Sequence, residues 1–313
     1  MSIPFDRIAI IGFGLIGSSL ARAIRKAHPE TEIVAIDCDE AVRTRVIELG
    51  IANRVTDAPD GVAGADLVIL CVPVRANAAV AAAIAPHLAP GATVSDVGSV
   101  KGSVVRDIGP HVPAGVHFVP AHPVAGTEHS GPDAGFAELF VNRWSILTPP
   151  PETAPEAIDR VRAFWEAIGA NVEVMTPEHH DLVLAITSHV PHLIAYNIVG
   201  TAADMEKVTQ GEVIKFSAGG FRDFTRIAAS DPTMWRDVFL NNKDAVLEML
   251  GRFNEDLAAL QRAIRWSDGD ALHALFTRTR AIRRGIIASG QETAAPNFGR
   301  QPDPLPKPDG SNQ

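Results

Sequence analysis

Residues 7–17 read RIAIIGFGLIG, a short β-branched apolar run that ends in closely spaced glycines. The run predicts a buried strand. The glycines at 12, 14 and 17 fit G-x-G-x-x-G, and LIGSSLARA after them predicts a helix. Three glycines at this spacing recur by chance, so their context decides the reading. Asp37 stands 20 residues beyond Gly17, at the end of the next apolar run, EIVAID. Strand, glycine turn, helix and acid are therefore in register for a dinucleotide fingerprint. Gly12 allows the tight turn, Gly14 lets the backbone approach a pyrophosphate, and Gly17 permits close packing of helix on strand. The N–H groups of Leu15 and Ile16, at the positive end of the helix dipole, face the phosphates. Asp37 would accept the ribose hydroxyls and repel a 2′-phosphate, which favours NAD over NADP. Asp39 is read as the cap of the following helix.

Moving outward, DLVILCVP (66–73) and TVSDVG (93–98) predict two more parallel strands, and further strands are expected near 116–119, 143–148 and 171–175. Helices fall near 15–27, 39–50, 75–88 and 155–168. This alternation predicts an α/β chain whose N-terminal part is a Rossmann-type doubly wound sheet. From about 177 the apolar spacing becomes helical, with helices near 178–203, 205–216, 231–240, 242–266 and 269–288. The expected organisation is a nucleotide-binding domain over 1–176, an all-helical substrate and dimerisation domain over 177–290, and a disordered, proline-rich tail over 291–313. The long apolar faces of the helical half exceed what one small core needs, so part of it is expected to pack against another subunit.

The 313 residues carry a formal net charge of -9, which argues against nucleic acid as a partner. Cys38 and Cys71 lie in apolar strand-like segments and suggest no disulfide framework. No signal peptide is expected at the start of the chain, and no stretch of about 18 uninterrupted apolar residues suggests a membrane span. A cytoplasmic globular protein is expected.

The chemistry-bearing residues gather in four stretches. DVGSVKG (96–102) follows a strand, where open α/β sheets place their ligands. Ser99 there is either a helix cap or a site residue. In VPAHPVAGTEHSG (119–131), His122 precedes a proline and is followed by small residues, Thr127 and Glu128. TSHVPH (187–192) interrupts an apolar helix. Ser188 and His192 are four apart and share a face, while His189 points elsewhere. Pro191 removes a donor and clashes with the carbonyl at 187, so the helix should bend or open there. GGFRDFTRIAASDPTMW (219–235) adds Arg222 and Arg226, suited to gripping a carboxylate, and Asp231 as the next helix cap. No persuasive metal site is present. The residues alone support hydride transfer from an alcohol on an anionic substrate.

The blocks GFGLIGSSLARA, CVPV, DVGSVKG, HPVAGTEHSGPDAGFAELF, HHDLVLAITSHVPHLIAY and GGFRDFTRIAASDPTMW together resemble the prephenate/arogenate (cyclohexadienyl) dehydrogenases, over about residues 7–285. The resemblance implies NAD-dependent oxidative decarboxylation of prephenate or arogenate in tyrosine biosynthesis, by a homodimer joined through its helical half. It implies that His122 polarises the ring hydroxyl, with Ser99 between nicotinamide and hydroxyl. Arg226 would bind a substrate carboxylate, helped by Ser188 and His192. Thr127 and Trp235 would line the pocket, with Glu128 near its mouth, and Val72 and Pro73 of CVPV would lie against the cofactor. Two alternatives stay open. A β-hydroxyacid dehydrogenase would use a lysine on an early helix of the second domain, but residues 177–204 contain none. A non-catalytic NAD-responsive module would need the glycine loop but has no use for His122 with Arg226.

Overall fold

The computed structural model describes residues 3–127, 129–209 and 218–288. Strands β1 (Arg7–Ile11), β2 (Glu32–Ile36), β3 (Arg54–Thr56), β4 (Leu67–Leu70), β5 (Thr93–Asp96) and β6 (His117–Phe118) form one parallel sheet in the order β3-β2-β1-β4-β5-β6. Alternate side chains point to opposite faces, and both faces are covered. Ile8, Ile10, Ile33, Leu67 and Ile69 pack with Phe13, Leu20 and Ile24 of the loop and helix α1 (Leu15–Ala27). On the other face Ala9, Ile11, Val34, Val68 and Val94 pack with Ile84 of α3 (Asn77–Ile84) and Val104 and Ile108 of α4 (Lys101–Ile108). Two-sided burial is why these strands read as continuous apolar runs. Each Ile, Leu, Val or Phe among these contributes about 1.5–3 kcal/mol on burial. Strand order reverses between β1 and β4, which opens a crevice at their carboxyl ends.

After β6 the chain leaves this sheet. β7 (Ala121–Pro123) pairs antiparallel with β8 (Trp144–Leu147), which runs parallel to β9 (Asn171–Val174). Helix α5 (Pro155–Ala167) closes that sheet through Phe164 and Trp165, whose rings meet edge to face. β3 and β7 are three-residue strands that the sequence pattern does not predict, because each is too short to show period two. The expected helix at 75–88 is α-helical only over Asn77–Ile84; 3₁₀ turns flank it, and Pro86 sits in the second. Cys38 lies exposed just past β2 rather than in it.

The helical part begins with α6 (Pro177–Leu184), where Thr176 caps the helix by accepting from the His179 N–H. Residues Ala185–His189 widen into a π-turn, and α7 (Val190–Thr209) continues. This opening is the expected effect of Pro191. A proline there leaves the Thr187 carbonyl without its usual donor, and a wider turn relieves the clash. Helices expected separately at 178–203 and 205–216 are joined as far as Thr209; the rest of the second, and the tail from 291, lie outside the described residues. Next come α8 (Gly219–Thr225), a 3₁₀ turn over Arg226–Ala229, α9 (Pro232–Asn241), α10 (Lys243–Arg265) and α11 (Gly269–Ala288).

Internal packing divides the chain into two compact units, Met1–Leu250 and Gly251–Gln313. The first contains both sheets and the helices into α10, so the expected boundary at 176/177 falls within it. The described part of the second is the remainder of α10 and α11. Ser267, at a φ of +55°, turns the chain between them, and Asp268 accepts from the Ala271 N–H. Helix α11 buries no residue, and α10 buries only Val246 and Met249, both in the first unit.

Candidate active site

At the nucleotide end, the turn depends on absent side chains. Gly12 has a φ of +93°, and a Cβ there would lie 2.5 Å from the Cys71 carbonyl oxygen. A Cβ on Gly17 would lie 2.0 Å from the Gly12 carbonyl oxygen, so only glycine lets α1 start this close to β1. A Cβ on Gly14 would meet nothing within 4 Å. Gly14 caps α1 without a side-chain hydrogen bond, and no acid lies in the first turn. The N–H groups of Leu15 and Ile16 thus fall outside the helix's own ladder, at its positive end. Asp37 Oδ2 accepts from the Phe13 N–H at 2.8 Å and Oδ1 from the Asp39 N–H at 2.9 Å, which holds the carboxylate beside the loop. Asp39 caps helix α2 (Glu40–Leu49) by accepting from the Ala41 N–H. Val72 borders Gly12, and Pro73 is exposed at the start of the next turn. Open space at Gly14, an uncapped helix start and a fixed acid fit a dinucleotide.

At the chemical end, His122 sits on β7, buried, with Ala121 before it fastened from both sides. Asp96 Oδ1, at the end of β5, accepts from the Ala121 N–H at 3.1 Å, and the Lys101 ammonium donates to the Ala121 carbonyl at 2.5 Å. Lys101 is wholly buried and pairs with Asp96 at 2.6 Å. Burial depresses its pKa, while the Asp96 charge opposes that. Losing one partner of such a pair costs about 3–5 kcal/mol.

His122 Nδ1 lies 2.8 Å from His180 Nε2, and His180 Nδ1 lies 2.8 Å from Asp181 Oδ1. Asp181 also accepts from the Lys101 N–H at 2.7 Å and the Gly102 N–H at 2.8 Å. It therefore caps α4 from a distant element, and Ser99 does not: the N-cap is Val100, without a side-chain bond. Ser99 is left half-buried just before that helix. Val100 shares an apolar cluster with Trp235 and Val238.

His192 stacks on Trp235 with ring centroids 3.7 Å apart, and its Nδ1 donates to the Ser188 carbonyl at 2.8 Å. His189, expected to point elsewhere, instead meets the same Trp235 ring edge to face, with centroids 6.1 Å apart. Its Nδ1 accepts from Asn242 Nδ2 at 3.1 Å, an amide that also donates to the Asp181 carbonyl. Arg226 begins the 3₁₀ turn, half-buried, with its charge close enough to help depress the His192 pKa. Arg222 is exposed, and Asp231 caps α9 through the Met234 N–H. Thr127 is half-buried and accepts locally from the His129 N–H; Glu128 lies outside the described residues.

Burial is the first cause of every histidine shift here. His122 is held neutral well below the usual imidazole range by burial, then by His180, Lys101 and His189. His180 and His192 are also lowered, and His189 falls to about 4. Among the described residues no group of three or more histidine, cysteine or acidic side chains could hold a metal ion. The sequence reading missed Asp96, Lys101, His180, Asp181 and Asn242. One signal was present: Asp181, Ser188 and His192 recur at helical spacing through an otherwise apolar segment.

A family model for the prephenate dehydrogenase nucleotide-binding domain matches residues 20–174, and one for the prephenate dehydrogenase dimerization domain matches 176–278. The cyclohexadienyl dehydrogenase of Zymomonas mobilis is 47% identical over 283 residues, 90% of this chain and 96% of that protein. A crystal structure of prephenate dehydrogenase from A. aeolicus, in complex with hydroxyphenyl propionate and NAD+, superposes with a TM-score of 0.85 at 34% identity, covering 91% of this chain and 100% of that one. The Synechocystis arogenate dehydrogenase structure follows with a TM-score of 0.76 at 27% identity, covering 89% and 99%. With family models matching residues 20–174 and 176–278 and a relative 47% identical over 90% of the chain, the chain belongs to the prephenate dehydrogenase family.

Proposed function

We infer that the chain catalyses NAD-dependent oxidative decarboxylation of prephenate to 4-hydroxyphenylpyruvate, of arogenate to tyrosine, or of both. The observation that carries this is a buried, neutral His122 whose neighbour Ala121 is fastened to Asp96 at the carboxyl end of β5. NAD, when bound, supplies the acceptor for the hydride that leaves ring C4. The N–H groups of Leu15 and Ile16 would hold its pyrophosphate, Asp37 would take the ribose hydroxyls, and Val72 and Pro73 would line the cofactor. His122 Nε2 accepts the hydrogen bond of the ring hydroxyl, drawing its proton closer and leaving electron density on the oxygen that supports C4 as the hydride departs. Ser99 would stand between the hydroxyl and the nicotinamide. Arg226 grips a substrate carboxylate, helped by Ser188 and by the neutral His192 ring, which Trp235 backs. Thr127 lines the pocket. Breaking the bond to the ring carboxylate sends its electron pair into the ring, and aromatisation drives the step.

The helical half serves as substrate and dimerisation domain, with the boundary at 176/177. In support, the two family models meet there and Thr176 caps the first helix. A homodimer is supported by apolar faces that this chain leaves uncovered. Helix Pro177–Met205 is long and apolar enough to cross a membrane, yet only 28% of its most apolar window is buried. Ile198, Val199, Trp266, Phe276 and Ile282 are exposed. A second copy would cover them, as the dimerization-domain match suggests. A cytoplasmic location suits a biosynthetic enzyme drawing on NAD.

The test is NADH absorbance with purified protein, offering prephenate and arogenate separately, each with NAD and with NADP. Turnover of either ring substrate with NAD is expected. No turnover in all four pairings would remove the reading.

A further inference from the structure

The back of His122 is spoken for. Its Nδ1 meets His180 Nε2 at 2.8 Å, and the far side of His180 meets the Asp181 carboxylate at 2.8 Å. A carboxylate only accepts, so His180 Nδ1 carries the hydrogen. In a neutral imidazole the other nitrogen is then a bare acceptor. His180 Nε2 must therefore receive the hydrogen on His122 Nδ1, and His122 Nε2 is left with its lone pair. Burial keeps both rings neutral, as this arrangement requires.

Asp181 cannot easily turn away from its end of the chain. Both its oxygens accept backbone N–H groups from the first turn of α4, at 2.7 and 2.8 Å, and its own carbonyl accepts from Asn242. A Cβ on Gly102 would lie 2.9 Å from Asp181 Oδ2, so a larger residue there would push on the carboxylate.

We propose that His180 and Asp181 are positioning residues that hold His122 in the tautomer whose Nε2 accepts the hydrogen bond of the ring hydroxyl. The inference rests on the role given to His122 above. Neither residue needs to touch substrate; they act by fixing which nitrogen of His122 is bare.

Two variants of similar size separate this role from simple packing. His180→Gln still offers an amide oxygen to His122 Nδ1, whereas His180→Leu offers nothing. The Gln variant is expected within about tenfold of wild-type kcat and the Leu variant about 100-fold or more below it, with KM and NAD affinity little changed in both. In the NAD-bound full-length protein, ¹⁵N histidine NMR should show His122 protonated at Nδ1 and bare at Nε2. Equal kcat in the Gln and Leu variants, or the reverse tautomer in the wild type, overturns the proposal alone. If the Leu variant does not fold, the tautomer of the wild-type and Gln proteins still decides it. No turnover by the wild type with either ring substrate fails the functional reading itself, and the proposal falls with it.

Discussion

Residues 12–17 bring their own backbone to the nucleotide end, whereas His122, His180, His189 and His192 reach the chemical end from two distant stretches of chain. The glycine loop works through what it lacks: a positive φ at Gly12, contact at Gly17, open space at Gly14. The histidine cluster works through what it gathers, with Asp96, Lys101, Asp181 and Asn242 supplied by four more positions. A local device is exposed to a single substitution in the loop. A gathered one is exposed wherever a supporting side chain is lost, even far along the sequence.

The comparison is most sharply tested by removing the reacting group while sparing the loop. His122→Asn should lower kcat by about 1,000-fold or more, because a weakly basic amide oxygen replaces the imidazole nitrogen that draws on the ring hydroxyl's proton. NAD affinity, measured by calorimetry, should stay within about twofold, since no loop residue depends on His122. A variant with near wild-type turnover would mean that the chemistry lies elsewhere.

Acid should likewise strike the gathered site first. His189 is wholly buried with a pKa lowered from 6.5 to about 4. As pH falls below 6.5, the unfolded chain takes up a proton that the folded ring refuses, so stability is full above that pH and declines below it. The loss from this one residue is about 2 kcal/mol by pH 5 and about 3 kcal/mol by pH 4. Denaturant midpoints for wild type and His189→Asn should therefore converge between pH 7 and pH 5. Parallel pH curves would show that His189 titrates normally in the folded protein.

The same contrast explains what could be read from sequence. Strand, glycines, helix and Asp37 lie within 31 residues and each leaves a periodic or compositional mark. His122, Ser188, His192 and Arg226 were noticeable because polar groups sat among apolar or proline-marked neighbours. Lys101 was not, since nothing in DVGSVKG tells that a lysine will be buried against Asp96. His180 and Asp181 were passed over because their partners lie 58 and 80 positions away. The π-turn at Ala185–His189 also shifts the helix register, so ideal spacing misplaces the faces beyond it. β7 was hidden for another reason: three residues carry too little pattern to announce a strand.

Arg226 and Arg222 differ in burial, and that difference sets the third expectation. Arg226→Ala should raise KM for the ring substrate by about 10–100-fold through loss of charged hydrogen bonds, leaving NAD affinity unchanged. Arg222→Ala, on an exposed position, should change neither by more than about twofold. Equal weakening of substrate and cofactor by Arg226→Ala would make that arginine structural.

The smallest effect falls on the loop itself and separates its two uses of glycine. Gly14 has a φ of -75° with extended ψ, a conformation any residue adopts, and a Cβ there would touch nothing. Gly14→Ala should therefore fold with an unchanged melting temperature. The added methyl would occupy the space over which the pyrophosphate runs, weakening NAD by about tenfold, or about 1.4 kcal/mol. His122 is untouched by the change, so kcat at saturating NAD should persist. Unaltered NAD affinity would mean that the pyrophosphate does not cross Gly14. The open space there would then need another occupant, and only the Gly12 turn and the Gly17 contact would remain as reasons for the glycines.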